Sequence, residues 1–324
     1  MPDAWAFLVA CWTSGTLVRS VCAVVLIPTA AWLAIRLFSK IIVRSAHDPG
    51  WQAPLAAAAA SIPGLLLVVL AAAALIAGAD ASCRATWSGQ VLFALIVSVI
   101  ALAFIRATIL ALKRMSEARA LIQASLPAVG RLAQIAGQTQ IAARLMRDTS
   151  LVCVLAGTWR PLVVVSSGAL DCLSDAELSA ALHHERGHAR RGDQLIAFLL
   201  TFLVDLLPLP AADLVRTYRR ARELAADRHA LQSVDAHDLA SALLRFAKPT
   251  RFVAATAAFD GEATVVARLD VLLRDETPKP VSVLQRGALA LSLVAILLLG
   301  VAPAAATLVY PLPCTMDSGS MKMV

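Results

Sequence analysis

The chain has 324 residues, of which 59% are hydrophobic and 16% are charged, and its mean hydropathy is +0.74. Soluble domains carry about 25% charged residues, so this composition indicates a membrane protein and excludes an ordinary soluble one. The net charge of +7 fits the Lys and Arg that membrane proteins place in cytoplasmic segments, and no interleaving of aromatic and basic residues predicts a nucleic-acid partner.

The first 112 residues carry three apolar runs, at about residues 18–38, 53–79 and 91–112. Each run matches or exceeds the roughly 20 apolar residues that a helix needs to cross a bilayer, so three transmembrane helices are predicted. A cleaved signal peptide is the alternative for the first run, but Asp3 gives the preceding segment a charge of the wrong sign.

The charges that flank these runs predict their orientation. Loop 39–52 and the region after residue 112 are basic, whereas loop 80–89 carries one arginine against one aspartate. Because Lys and Arg accumulate on the cytoplasmic side, we expect the N-terminus outside and residues 113–285 inside.

Residues 113–285 hold 21 of the 29 Lys and Arg and 18 of the 22 Asp and Glu. This segment is therefore predicted to be a water-facing domain, long enough for one core. Near its start, residues 131–147 have the pattern of an amphipathic helix, with buried positions at Leu132, Ile135, Ile141 and Leu145.

Two β-rich runs follow, at residues 151–155 and 162–165, and the Gly157 and Pro161 between them predict a β-hairpin. Two interpretations of this hairpin stay open. One hypothesis is that an edge strand of this hairpin aligns an extended peptide by strand addition. The other is a purely structural hairpin.

Residues 173–193 are predicted to form a helix. Ser174 and Glu177 make a capping-box pattern at its start, and Gly192 is a natural stop at its end. Arg190 and Arg191 fall in the last turn, where positive charges suit the helix dipole.

This helix contains the motif His-Glu-x-x-His. His184 and His188 are four residues apart, so both imidazoles project from one face and can hold a single zinc ion. Glu185 follows the first histidine and can act as a general base on a metal-bound water. We expect one Zn²⁺ per chain.

A catalytic zinc ion needs a third protein ligand, and residues 213–231 predict a second helix that supplies candidates. Glu223 and Asp227 share a face of that helix. Glu223 is the candidate third ligand, and Asp227 the carboxylate that orients a ligand histidine. The alternative is a solvated, arginine-rich charged helix.

The apolar part of segment 195–210 is about 13 residues long, too short to cross the bilayer. A single crossing would also separate Glu223 from His184 and His188. The zinc hypothesis therefore requires this membrane-associated segment to be buried, interfacial or re-entrant.

Residues 236–247 and 262–274 predict two further helices. The run 286–309 is predicted as the fourth transmembrane helix, with residues 310–324 as a short extracytoplasmic tail. The sequence thus predicts a mainly α membrane protein, in which four transmembrane helices carry an inserted α+β domain with a small β-hairpin or sheet.

The six cysteines form no Cys-x-x-Cys pair, which disfavours a cysteine zinc site. In the predicted topology Cys83 and Cys314 both face outside, the one compartment that permits a disulfide, and we hypothesise that they form one.

Four other residues are weaker candidates for a role in the site. His183 points about 100° away from His184 and is expected to be a neighbour, not a ligand. His229 and Tyr218 are candidate donors to the tetrahedral intermediate, with an ordinary surface residue as the alternative for each. Asp193 can orient a ligand, although a cap for the helix that begins near Leu195 is preferred.

Three blocks together resemble the BlaR/MecR-type integral-membrane zinc peptidases: residues 160–165, 173–193 and 222–227. The resemblance covers about residues 113–275 well and is an agreement in layout across the hydrophobic helices. It implies a zincin fold of the gluzincin type, in which a cytoplasmic peptidase domain lies among four spans of the bacterial inner membrane.

The resemblance also implies signalling by proteolysis, either of the protein itself or of a partner such as a cytosolic transcriptional repressor. Members with the full layout sense β-lactams through an external C-terminal penicillin-binding domain. The tail 310–324 has no Ser-x-x-Lys, so direct β-lactam binding is not expected here.

Two alternatives to a regulatory peptidase stay open. The Ste24/HtpX-type quality-control peptidases share His-Glu-x-x-His and a downstream Glu-x-x-x-Asp. A non-catalytic membrane signalling scaffold with structural zinc is the second alternative, and an open coordination position on the metal would distinguish it from an enzyme.

Overall fold

The computed structural model describes residues 49–50, 52–61, 65, 87–206, 212–247 and 261–273. The predicted spans 18–38 and 286–309, the tail 310–324 and the proposed Cys83–Cys314 disulfide lie outside these residues. Of the predicted span 53–79, only residues 53–61 and 65 are described. Residues 52–61 are helical.

Helix α1, Trp87–Ala124, has 38 residues and contains the predicted third span, 91–112. Its exposed side includes five large apolar residues, each more than half exposed: Val99, Leu102, Ile105, Ile109 and Leu112. Within the described residues, no helix combines the length and the hydropathy that a membrane crossing needs.

The predicted helix over residues 131–147 was wrong in its second half. Helix α2, Gly130–Thr139, ends at Gln140, whose left-handed φ of 51° closes the helix. Residues 143–146 instead form a strand, because they pair in parallel with a later valine-rich strand. Leu132 and Ile135 are buried as expected.

The described residues form a sheet of four strands in the order β1-β2-β4-β3. Their bounds are Leu126–Pro127 for β1, Ala143–Met146 for β2, Cys153–Ala156 for β3 and Leu162–Ser166 for β4. Strands β3 and β4 pair antiparallel, which confirms the predicted hairpin. Strand β4 lies in the interior of the sheet and Val163, Val164 and Val165 are fully buried, whereas β3 is an edge strand.

After α3, Ser167–Cys172, the chain forms the central helix α4, Asp175–Arg191. Both halves of the predicted capping box are present between Ser174 and Glu177, and Gly192 ends the helix with a φ of 66°. Leu178 and Leu182 are fully buried in a core cluster with Leu132 of α2 and with Val163 and Val165 of β4. Burial of each leucine contributes about 1.5–3 kcal/mol.

Helix α5, Asp193–Leu206, contains most of the predicted membrane-associated segment. It packs against the helical residues 52–61 through Leu200, and Arg114 of α1 binds Asp205 at 2.6 Å. One side of α5 is therefore covered by protein, while Leu199 is 48% exposed.

Three helices complete the described fold: α6, Ala212–Ala230; α7, Ala236–Phe246; and α8, Gly261–Leu273. Each lies within two residues of its predicted bounds. Helix α7 begins at a side-chain cap by Asp235. A second cluster joins α4, α6, α7 and α8 through Ala180, Ala230, Leu239 and Leu272.

Candidate metal centre

The candidate site lies where α4 crosses α6. Gly187 makes the close approach possible, because a Cβ there would lie 3.2 Å from the Cα of Ala226 and 3.1 Å from the Cβ of His229. One turn of α4 carries His184 and His188, and α6 presents Glu223 to both of them. The structure therefore brings together the three residues that the sequence proposed as ligands.

The ligand atoms of three side chains converge in one place. The Nε2 atoms of His184 and His188 are 3.2 Å apart; Oε2 of Glu223 lies 3.3 Å from the first, and Oε1 of Glu223 lies 3.6 Å from the second. Tetrahedral ligands at zinc distances of about 2.0–2.2 Å stand about 3.4 Å apart. The spacing and the nitrogen and oxygen donors therefore fit a four-coordinate divalent cation held by three protein side chains.

Each histidine is oriented by a carboxylate on its other ring nitrogen. The Nδ1 of His184 lies 2.8 Å from Oδ1 of Asp227, and the Nδ1 of His188 lies 2.7 Å from Oδ2 of Asp193. When Nδ1–H donates to a carboxylate, the Nε2 lone pair points to the centre. A carboxylate–histidine pair is the usual support of a metal-binding imidazole.

Asp193 corrects the preferred sequence interpretation. It is the first residue of α5, but its carboxylate bonds to His188 and to Nη2 of Arg191, which is 2.6 Å away. Asp193 was preferred as a helix cap; instead its side chain turns back toward α4, because a buried imidazole and a guanidinium both lie within hydrogen-bond distance.

Arginines balance the charge of these carboxylates. Arg191 pairs with Asp193, and Arg222 pairs with Glu223 at 3.0 Å. Asp227 receives two hydrogen bonds from Arg268 of α8, at 2.6 Å and 2.7 Å. The sequence did not predict a role for Arg268, because a single arginine in a separate helix belongs to no motif. The one available signal was that this arginine occupies a position on the inward-facing side of its predicted helix.

The pKa values of the candidate ligands reflect the charged groups packed around them. Burial raises the pKa of Glu223, but His188, His184 and Arg222 outweigh it and hold the pKa well below the usual value. Burial likewise lowers the pKa of His184, yet hydrogen bonds with Asp227 and Glu223 raise it to about 9. The carboxylates thus stabilise positive charge on the His184 ring, which is the sign of charge that a bound cation would bring to this position.

Glu185 lies beside the centre and is half-buried. Burial raises the pKa of the Cys153 thiol on β3, and the nearby charge of Glu185 raises it further, which indicates that the Glu185 carboxylate lies near the edge strand. Within the described part of the chain, no hydrogen bond or ion pair holds that carboxylate. A role for Glu185 as the general base remains a prediction.

The edge strand β3 is tied to the metal helices. Nε2 of Gln194, next to Asp193 on α5, donates to the Leu155 carbonyl at 2.9 Å. This bond links β3 to the start of α5 through a carbonyl that does not pair with β4. Strand addition itself remains a prediction.

The three weaker candidates lie around the centre without entering it. His229 packs at the α4–α6 crossing beside Gly187, and His183 has a buried Nδ1 with no hydrogen-bond partner among the described residues. Tyr218 is buried, and its hydroxyl donates to the Asp193 carbonyl at 3.4 Å. In this arrangement Tyr218 supports α5, and a role for His229 or Tyr218 toward an intermediate remains a prediction.

Comparison with known proteins adds one finding to this geometry. No curated protein matches the chain. A family model described as BlaR1 peptidase M56 matches residues 20–272, which is well over half of the chain and includes every residue of the candidate centre. The chain therefore belongs to the BlaR1 peptidase M56 family.

Proposed function

We propose that this protein is an integral-membrane, zinc-dependent endopeptidase with a cytoplasmic active site. Family membership implies a metallopeptidase. The observation that carries the proposal is the convergence of His184, His188 and Glu223 at distances that suit a four-coordinate metal. Two carboxylate-supported imidazoles and one carboxylate form the donor set of a catalytic zinc site of the His₂Glu kind.

Three side-chain ligands also argue for an enzyme over a scaffold with structural zinc. Structural sites are usually closed by four protein ligands, whereas a catalytic site keeps one position open. Among the described residues, the cluster contains three groups that can bind a metal, and no fourth.

In the proposed mechanism, His184, His188 and Glu223 would hold a zinc ion, which would supply an acidified water and a Lewis acid for the scissile carbonyl. The Glu185 carboxylate takes the proton from that water and passes it to the leaving amine. Asp227 and Asp193 keep the Nδ1 protons of the two histidines in place, so both rings stay in the orientation that the ligand set needs.

The physiological role that we propose is regulatory proteolysis, acting on the protein itself or on a cytosolic transcriptional repressor. The basis is the family, together with a peptidase domain whose flanking charges predict a cytoplasmic location. A quality-control role of the Ste24/HtpX kind would share the same site and differ in substrate.

The test replaces Glu185 by Gln. This variant is expected to keep its metal and to lose peptide cleavage, because the amide cannot take the proton. Comparative proteomics of cells with the wild type and the variant then identifies fragments that require Glu185. Undiminished fragment formation by Glu185→Gln would show that the proposed mechanism is wrong.

A further inference from the structure

Arg268 differs from the other arginines of the centre because it comes from a distant helix. Arg191 and Arg222 pair with carboxylates one or two residues away in the chain. Arg268 lies on α8, 41 residues beyond Asp227, and is 7% exposed. Its place in the centre is therefore decided by how α8 packs, and not by local sequence.

One guanidinium holds two carboxylates of the centre. Nε and Nη2 of Arg268 bind the two oxygens of Asp227, and the same Oδ1 contacts Nδ1 of His184 at 2.8 Å. Nη1 lies 3.3 Å from Oε2 of Glu223, the oxygen nearest to His184. The two hydrogen bonds from Arg268 to Asp227 fix the plane of the Asp227 carboxylate as well as its position.

Arg268 enters the centre together with an apolar anchor. Leu272, four residues further on, shares its face of α8 and packs in the cluster with Ala230 and Leu239. Val266, on another face, is 66% exposed. Docking of α8 therefore buries Leu272 and inserts Arg268 in a single event, and a helix that moved away would withdraw both.

We propose that Arg268 is a positioning residue, which holds Asp227 against His184 and thereby makes the metal-binding geometry depend on the docking of α8. This inference rests on the proposed metallopeptidase function and deepens it. Linkage is reciprocal, so metal binding must stabilise the docking of α8 to the same extent that docking favours the metal.

The first experiment measures metal affinity in the full-length chain in detergent, with Zn²⁺ in competition with a chelator. Arg268→Met is expected to weaken Zn²⁺ binding by about 10- to 100-fold, the usual effect of losing support behind a ligand. Arg268→Lys should recover part of the affinity, since lysine restores the charge but not the two-point contact. Co²⁺ in place of Zn²⁺ should show an altered visible spectrum in Arg268→Met.

A matched control separates positioning from general destabilisation. Arg245 of α7 binds Glu177 at 2.7 Å, in an ion pair outside the metal centre. Arg245→Met should lower thermal stability and leave Zn²⁺ affinity within about twofold of wild type, because its partner contacts no ligand. A similar affinity loss in Arg245→Met and Arg268→Met would overturn the inference.

A double variant tests the route through Asp227 and also guards against misfolding. Arg268→Met alone leaves the buried Asp227 carboxylate without its guanidinium countercharge, whereas Asp227→Asn with Arg268→Met removes both charges. If Arg268 acts through Asp227, the double variant should bind Zn²⁺ no more weakly than the worse single variant. Affinity losses that simply add would show that the two residues act independently.

The second experiment follows amide hydrogen exchange in residues 261–273 with and without Zn²⁺. Zn²⁺ should slow exchange in α8 of the wild type and have little effect on α8 in Arg268→Met. A wild-type chain that binds no Zn²⁺ would overturn the proposed function and this inference together. Zn²⁺ binding that neither protects α8 nor weakens in Arg268→Met would overturn the role of Arg268 alone.

Discussion

The two histidines of the candidate metal centre each contact a carboxylate through Nδ1, but different parts of the chain supply the two carboxylates. His188 is held by Asp193, five residues later, with Arg191 as the countercharge. His184 is held by Asp227 of α6, whose countercharge comes from α8. One half of the site thus needs only the end of α4 and the start of α5, whereas the other needs three helices to pack.

This difference predicts that the local half, around His188, and the remote half, around His184, differ in their sensitivity to changes in helix packing. The local half forms wherever α4 meets α5, because its members are close in sequence. The remote half depends on long-range contacts, and each such contact must offset the entropy of closing a longer loop. Changes in helix packing should therefore affect the environment of His184 more than that of His188.

The largest effect should come from Glu223, which contacts both halves, at 3.3 Å from His184 and 3.6 Å from His188. Glu223→Ala removes a ligand, so the loss of Zn²⁺ affinity should exceed the roughly 100-fold ceiling for supporting residues, and cleavage should disappear. Metal content after dialysis against a weak chelator measures this. Glu117→Ala, an exposed change on α1, is the control and should retain zinc.

Asp227→Asn and Asp193→Asn test the difference between the remote half and the local half of the site. Each should lower Zn²⁺ affinity by about 10- to 100-fold. Asp227→Asn should also destabilise the fold more than Asp193→Asn does, because buried Arg268 keeps only its 3.3 Å contact with Glu223, whereas the side chain of Arg191 is 29% exposed and can reach water. Equal losses of unfolding free energy in chemical denaturation would contradict the distinction between the halves.

A smaller effect is expected where the two helices cross. Gly187→Ala places a Cβ 3.1 Å from the Cβ of His229, so α4 and α6 must move apart, at a cost of about 1–3 kcal/mol. Zn²⁺ affinity should fall with stability. Gly137→Ala in α2 is the matched control, because nothing lies within 4 Å of the added Cβ, and it should be neutral or stabilising by up to about 1 kcal/mol. Thermal unfolding of both variants measures the difference.

The smallest effect concerns the start of α4, away from the candidate metal centre. Burial raises the pKa of Glu177, but Ser241, the Ser174 amide and Arg245 lower it to about 2 from 4.5. A lowered folded-state pKa means that the stabilisation is complete above about pH 4.5 and is lost as the pH falls toward 2.

Glu177→Gln keeps the capping pattern and removes the charge. The wild type should exceed the variant by about 1–2 kcal/mol at pH 6, and this gap should close by pH 2. Unfolding free energies across this pH range measure the gap, and a gap that stayed constant with pH would contradict the assigned role of the charge.

The sequence determined the local part of this protein. The His-Glu-x-x-His spacing, the capping box at Ser174 and the stop at Gly192 act within one helix, and all are present in α4 as predicted. The β3–β4 hairpin was predicted from two β-rich runs that are adjacent in the sequence, so its pairing is also a local property. Glu223 was proposed because a catalytic zinc ion needs a third protein ligand. The structure brings the Glu223 side chain to the two histidines.

Only tertiary structure decided the rest. Residues 143–146 continued a helical pattern, but parallel pairing with β4 made them a strand. Asp193 turned toward His188 because α4 and α5 meet there, and Arg268 reached Asp227 because α8 docks through Leu272. Contacts between elements distant in sequence have no fixed spacing along the chain, so a sequence pattern can name the groups that need partners but not the residues that provide them.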